Sequence, residues 1–198
     1  MIMAGKNKIN PENIKMIQNI LDLLSTFYAK FYVFETILKE HILQQFEYQY
    51  GADWLNYLHS INLFQLESVA IANRKKHDFR ISTRLFINEA SFGFWVELFG
   101  RETYKQLKGV PIKAFSELPS EIKRRHLYQM LSNIKEVRNK LYHHRIDLFN
   151  NISKKEIDLL SKTDKDLYLI ISWIDKHAIQ LIRKDDFQYH LSKVLPSK

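Results

Sequence analysis

The chain has 198 residues, 45% of them apolar, with only five glycines, four prolines and no cysteine. That length and apolar content can bury one substantial core, and so few turn-forming residues point to a single all-α domain over 1–198 with no flexible linker. The missing cysteines exclude disulfides and thiolate metal sites and suit a cytoplasmic protein, while a net charge of +8 suits a polyanionic partner.

From about Pro11 to Tyr50, apolar and polar residues alternate at helical spacing, with Ile17, Leu21, Leu24, Tyr28, Phe31 and Glu35 tracing one line. This predicts one long helix, or two in sequence, ended near Gly51. A shorter helix is expected from Ala52 to about Leu66, and Asn73 to Asp78 reads as a charged turn or an exposed helix end. Ser91 to Phe99 is dense in aromatics and bounded by Gly100; Arg101 to Leu107 adds a further turn or two of helix. Gly109 to Pro119 is a connector, because the residue before Pro111 is pushed out of helical geometry. Ser120 then reads as the N-cap of a central helix running to about His144. Two capping boxes, Ser153-x-x-Glu156 and Thr163-x-x-Asp166, predict helix starts in the last third. The apolar run from Leu167 to Ile174 stops at Asp166 and Asp175, far short of the roughly 20 residues a membrane span needs. The N-terminus has no continuous apolar stretch, so neither a signal peptide nor a membrane partner is expected.

The charge is unevenly placed. Eleven Lys or Arg lie between Arg101 and Arg145 against four acids, which accounts for nearly all of the excess. Such clustering draws in nucleic acid, although a solubilising face on a basic protein would look the same. The segment ends in Arg138-Asn139-Lys140-Leu141-Tyr142-His143-His144. An arginine that can hold a phosphate and a histidine that can move the proton of a 2′-hydroxyl are the parts needed to cut RNA without a metal. Nine arginines and eight histidines will produce such spacings by chance. Arg183 and His190 form one such decoy, with Asp185 and Asp186 between them to repel a phosphate.

Position on the helix separates the candidates. At about 100° per residue, with Arg138 at zero, Met130, Ile134, Val137, Leu141 and Leu148 fall within roughly 260–320°, a narrow apolar stripe. Lys135, Arg138, Asn139, Tyr142 and His143 share the polar side, and His144 lies beside the stripe. His143 is therefore the catalytic candidate and His144 a structural or supporting one. Arg138 and His143 are still about 140° apart on a regular helix. Either the helix ends or distorts near Tyr142, or a second protomer supplies the opposing pair. An Arg-Asn pair at a helix end can also serve only to bond terminal carbonyls. Adjacent histidines point apart, and no acid stands at zinc-helix spacing, so no metal and no other cofactor is expected.

Two segments together resemble a known family. Asn88-Glu89-Ala90-Ser91-Phe92-Gly93-Phe94-Trp95-Val96-Glu97-Leu98-Phe99 is similar to a signature of the Abi-like (abortive infection) proteins of bacteria. Some forty residues later that family carries Arg-Asn-x-x-x-His-His, matching Arg138, Asn139, His143 and His144. The match is specific between about Arg84 and Phe149 and vaguer before it. In that family an acid and a proline often follow the histidines; here Arg145-Ile146-Asp147 follow.

These proteins are similar to the HEPN superfamily, whose Arg-x4–6-His motif marks many members as metal-independent ribonucleases. The resemblance implies a HEPN-like helical bundle and a homodimer with a composite active site. It also implies a toxin or phage-defence endoribonuclease leaving 2′,3′-cyclic phosphate and 5′-hydroxyl ends. An antitoxin or partner RNA would accompany it. Arg138, His143 and Asn139 are then the catalytic residues, with Lys135, Lys140, Tyr142, Arg145, Arg124 and Arg125 to hold RNA. Phe92-Gly93-Phe94-Trp95 reads as scaffold, with Gly93 permitting close helix contact. A non-catalytic RNA-binding module and a helical protein-interaction scaffold are the competing readings.

Overall fold

The computed structural model describes residues 11–75, 82–143, 152–182 and 186–195. Among them are nine α-helices and no strand, so the fold is all-α. Helix α1 is Pro11–Tyr50, a single unbroken helix of 40 residues. Gly51 stops it by taking a left-handed backbone (φ +82°) while its N–H still bonds the Glu47 carbonyl, a conformation that glycine adopts without steric cost. Then come α2 (Trp54–Ser60), α3 (Gln65–Lys75), α4 (Thr83–Glu89), α5 (Phe92–Glu97), α6 (Arg101–Gln106), α7 (Arg124–Tyr142), α8 (Lys154–Ile174) and α9 (Asp186–Val194). Short 3₁₀ turns cover Val110–Ala114 and Ala178–Leu181.

Several helix starts follow from local chemistry. The hydroxyls of Ser82 and Ser91 accept from the backbone N–H groups of Leu85 and Phe94, capping α4 and α5. Ser153 and Glu156 form the reciprocal capping box that the sequence announces. Thr163-x-x-Asp166 does not start a helix. It lies inside α8, because nothing between Lys154 and Ile174 breaks the helix and the apolar period runs through it. Both side chains are buried, and Thr163 Oγ1 and Asp166 Oδ2 have no hydrogen-bond partner among the described residues. Burial pushes the Asp166 carboxyl above the usual range, with Lys162 and His126 pulling it back.

The helix expected from Ala52 to Leu66 is likewise shorter. It stops at Ser60, and Asn62 and Phe64 turn the chain with positive φ before α3 begins. Asn73 to Lys75 belong to the end of α3, and the rest of that charged stretch lies outside the described residues.

The buried line on α1 is Ile20, Leu23, Leu24, Phe27, Phe31, Phe34, Leu38, Ile42 and Phe46. It is rotated by about 60° from the line through Ile17, Leu21 and Tyr28, so Leu21 and Tyr28 are exposed. Its N-terminal half packs on α8 and α9, and the 3₁₀ turn at Val110–Ala114 also packs on α1. Midway along that face sits Lys30, whose ammonium pairs with Asp164 of α8. Only 2% and 7% of the two side chains are exposed. The ammonium lies 5.3 Å from the ring centre of Tyr168 and 5.9 Å from that of Phe187, so aromatic faces supply part of its solvation. Burial raises the Asp164 carboxyl, and the hydrogen bond and charge of Lys30 oppose the rise.

Removing one member of such a pair strands the other in a dry core. Lys30→Met is expected to cost about 3–5 kcal/mol, measured as a lowered midpoint in denaturant unfolding. Lys30→Met with Asp164→Leu should recover most of that loss.

Candidate functional site

The C-terminal half of α7 carries the Arg-His segment. Leu127, Met130, Leu131, Ile134, Val137 and Leu141 are buried on one face, and Lys135, Arg138, Asn139, Tyr142 and His143 lie half-buried or exposed on the other. The helix begins at Arg124, with Lys123 at the cap, so Ser120 is not its N-cap. Pro119 to Lys123 instead form a turn, in which Ile122 N–H bonds the Pro119 carbonyl and Lys123 Nζ bonds that of Ser120. The helix ends at Tyr142. His143 is the C-cap at φ −100° and ψ 14°, its N–H donating to the Asn139 carbonyl at 3.0 Å. Because that N–H still makes the helical bond, His143 keeps its helical position, and the roughly 140° separation from Arg138 stands within one chain.

Arg138 is fixed on several sides. Its Nε donates to Glu35 Oε1 on α1 at 2.9 Å, and its Nη1 to Asn139 Oδ1 at 3.4 Å. The guanidinium lies 4.2 Å from the centre of the Tyr142 ring and 5.9 Å from that of Phe92, whose ring meets Phe34 edge-on. Tyr142 in turn packs on Tyr28, ring centres 5.4 Å apart. Desolvation raises the Tyr142 hydroxyl first; Glu35 adds to the rise and Arg138 opposes it. One turn beyond Glu35, Lys39 stands half-buried with its ammonium 5.9 Å from the Trp95 ring. Burial lowers its pKa, Glu35 raises it and Arg138 lowers it. The site thus lies where α1, α5 and α7 meet.

Of the other candidates, few are free cations. Lys135 pairs with Glu97 at 2.9 Å, while Tyr128 donates to the second oxygen of the same carboxylate at 2.9 Å. Lys140 pairs with Glu136 one turn away at 2.8 Å. Arg124 donates to the Phe99 carbonyl at 2.7 Å and lies over the Tyr104 ring. Arg125 is exposed and has no ion pair among the described residues. Fourteen residues of helix put Arg124 about 21 Å along the axis from Arg138, so the structure does not bring Arg124 and Arg125 to the motif.

His143 is exposed, and its ring makes no hydrogen bond to any described residue. His144, Arg145 and Leu148 lie outside the described residues, as does Arg183 of the decoy. The decoy's His190 sits on α9, its Nδ1 buried without a partner among the described residues. Among the described residues no cluster of three or more histidines and acids could hold a metal, and no helix is long and apolar enough to cross a membrane.

Two corrections follow from this geometry. Arg138 is not a free polar-face residue, because it bridges α7 to α1 and its removal leaves Glu35 half-buried without its partner. Gly93 is not required for helix contact either. A Cβ there would meet Ser91 Oγ at 3.7 Å and Lys135 Cδ at 3.8 Å, ordinary van der Waals distances. The surrounding aromatics do form scaffold, with Phe92 and Trp95 both buried.

Glu35→Ala should therefore destabilise the fold by about 1–3 kcal/mol, the worth of a hydrogen bond to a charged group, and Glu35→Gln by less. Gly93→Ala should be neutral or stabilising by up to about 1 kcal/mol. Chemical denaturation of the three variants checks both. Neither a family model, nor a curated protein, nor a solved structure matches this chain, so the site's own residues carry its functional reading.

Proposed function

We propose that this chain is a metal-independent endoribonuclease of the HEPN kind, acting as a toxin or phage-defence effector in the cytoplasm. The observation that carries this reading is the setting of Arg138. Of its five N–H donors, one goes to Glu35 and one to Asn139, and among the described residues the other three have no partner, which suits them to the oxygens of a phosphate. Held between rings and a carboxylate, the guanidinium needs little reordering to receive that phosphate. His143 stands five residues on, exposed at the point where the helix stops.

In the reaction, the 2′-oxygen attacks phosphorus as His143 takes its proton. The 5′-oxygen leaves with a proton from a general acid, and Arg138 stabilises the charge on the equatorial oxygens. Entering and leaving oxygens lie on opposite sides of the phosphorus in line, so one imidazole does not reach both. A homodimer that faces two His143 side chains across one cleft supplies the second. Asn139 acts through its neighbours, holding Arg138 by its side chain and the His143 backbone by its carbonyl. One observation favours the alternative of a non-catalytic RNA-binding module: Glu35 partly neutralises the charge that a transition state would need.

The test is cleavage of unstructured RNA in the presence of EDTA, with the ends identified by mass spectrometry. Cyclic phosphate and 5′-hydroxyl ends are expected, and His143→Ala should slow the reaction by about 10²–10⁴-fold. For Arg138, the double variant Arg138→Ala/Glu35→Ala avoids a stranded carboxylate and should lose roughly 10²–10³-fold. RNA that is bound but never cut would transfer the assignment to the binding module. Metal-dependent cleavage that survives both changes would put the active site elsewhere. A monomer by light scattering at micromolar concentration would remove the two-histidine scheme.

A further inference from the structure

The flank of α1 beside its buried line carries a second, exposed stripe. Ile14, Leu21, Tyr28 and Tyr32 are all exposed large hydrophobics, and Glu35 and Lys39 continue the same ridge at alternating spacings of three and four. Such spacing keeps residues on one strip of a helix surface. The aromatic end of the strip meets the candidate site: Tyr28 is 42% exposed, Tyr32 74% and Tyr142 39%. Tyr28 touches Tyr142, Tyr142 underlies the Arg138 guanidinium, and Glu35, less than one turn past Tyr32, holds that guanidinium from behind. One partly bare phenol ring, Tyr142, thus stacks on the cation, a second, Tyr28, packs on the first, and Tyr32 stands one turn further along the same strip of α1.

Exposed tyrosines at this density call for an explanation, because aromatic rings normally contribute their stability by burial. They are also not a good helix-pairing seam. On one side the positions that alternate with Ile14, Leu21 and Tyr28 are Gln18, Ser25 and Tyr32, and on the other Leu24 and Phe31 are already buried in the core, whereas a coiled coil wants available aliphatic residues at both positions. An unpaired nucleotide has the complementary parts: a flat base for the rings and an anionic phosphate for the guanidinium. Base–aromatic stacking is tolerant of sequence and needs a base released from a duplex.

We infer that Tyr28 and Tyr32 form a base-stacking platform beside Arg138, so that the site takes single-stranded RNA and rejects the same sequence in a duplex. This rests on RNA being the ligand of the Arg138 site, and it adds the strand class and two residues on a helix that the motif does not include.

The experiment measures binding by fluorescence anisotropy, using His143→Ala protein so that the RNA stays intact. The probes are a short single-stranded RNA, the same RNA annealed to its complement, and an abasic ribose-phosphate oligomer of equal length. The single strand should bind on the order of tenfold or more tighter than the other two. Adding Tyr28→Ala and Tyr32→Ala should bring the single strand down to the abasic level while leaving the abasic oligomer unchanged. Adding Tyr28→Phe and Tyr32→Phe should keep the preference.

Equal binding of all three probes, or alanine variants that bind as the parent does, overturns the platform. Light scattering on the same samples distinguishes the other occupant. If the alanine variants lose mass and affinity for all three probes together, the stripe is an interface with a second copy and the platform is wrong. Absence of RNA binding by the parent removes both the platform and the RNA reading beneath it. Selective binding by wild-type protein that never cleaves removes only the nuclease.

Discussion

A helix of 40 residues spans about 60 Å, well beyond what propensity alone holds in a compact chain, so the fold depends on keeping α1 covered along its length. Its buried line does this by drifting. From Ile20 to Phe46 the successive spacings lengthen from three and four to fours alone, which turns the line by about 80° around the axis. The two halves can therefore face different neighbours. The Lys30–Asp164 pair sits within the half held by α8 and α9, where a misplaced register would strand two charges rather than merely loosen apolar contacts. Because α1 is fixed this way, its flank holds Glu35 against α7.

That contact gives Arg138 a double character. The ion pair with Glu35 orients the guanidinium by its Nε, and it also places a negative charge at hydrogen-bond distance from the cation. Orientation lowers the cost of ordering a side chain with many rotamers. The carboxylate would subtract from the field that an incoming phosphate feels, but an anchored guanidinium would offer charge-assisted hydrogen bonds that an unanchored, fully solvated arginine would have to organise first. An arginine serves here better than a lysine would, since a point-like ammonium cannot bond Glu35 and Asn139 while presenting further donors in a fixed plane.

The sequence carried the helical class, the extent of α1, the stop at Gly51 and the Ser153 capping box, because each rests on contacts within a few residues. It carried the apolar face of α7 as well, where Met130, Ile134, Val137 and Leu141 are indeed buried. It misplaced the start of that helix, since Ser120 looks like a cap but Pro119 begins a turn that consumes the next residues. It misread Thr163 and Asp166, whose spacing suits a cap but whose neighbours demand a continuous apolar face. Glu35 was the hidden member of the site. Its signal was present as an acid at the end of an otherwise apolar line, a position where a carboxylate needs a partner; the identity of that partner, 103 residues away, was not legible. Lys30 and Asp164 were hidden in the same way.

Charge counted along the chain and charge paired in space lead to different views of RNA binding. Between Arg101 and Arg145 the sequence shows a strong basic excess, yet near the motif Lys135, Arg138 and Lys140 each face an acid. Exposed pairs of this kind hold little energy, so an RNA backbone could displace Glu136 from Lys140 at small cost. Lys135 would release Glu97 less readily, because Tyr128 also binds that carboxylate. Under the proposed function, the described residues of the motif would engage few phosphates, and counterion release from them would be correspondingly small. A site with few phosphate contacts would have to draw its affinity from short-range interactions, and Tyr142 on Arg138 and Tyr28 on Tyr142 are the rings that such a proposal calls on.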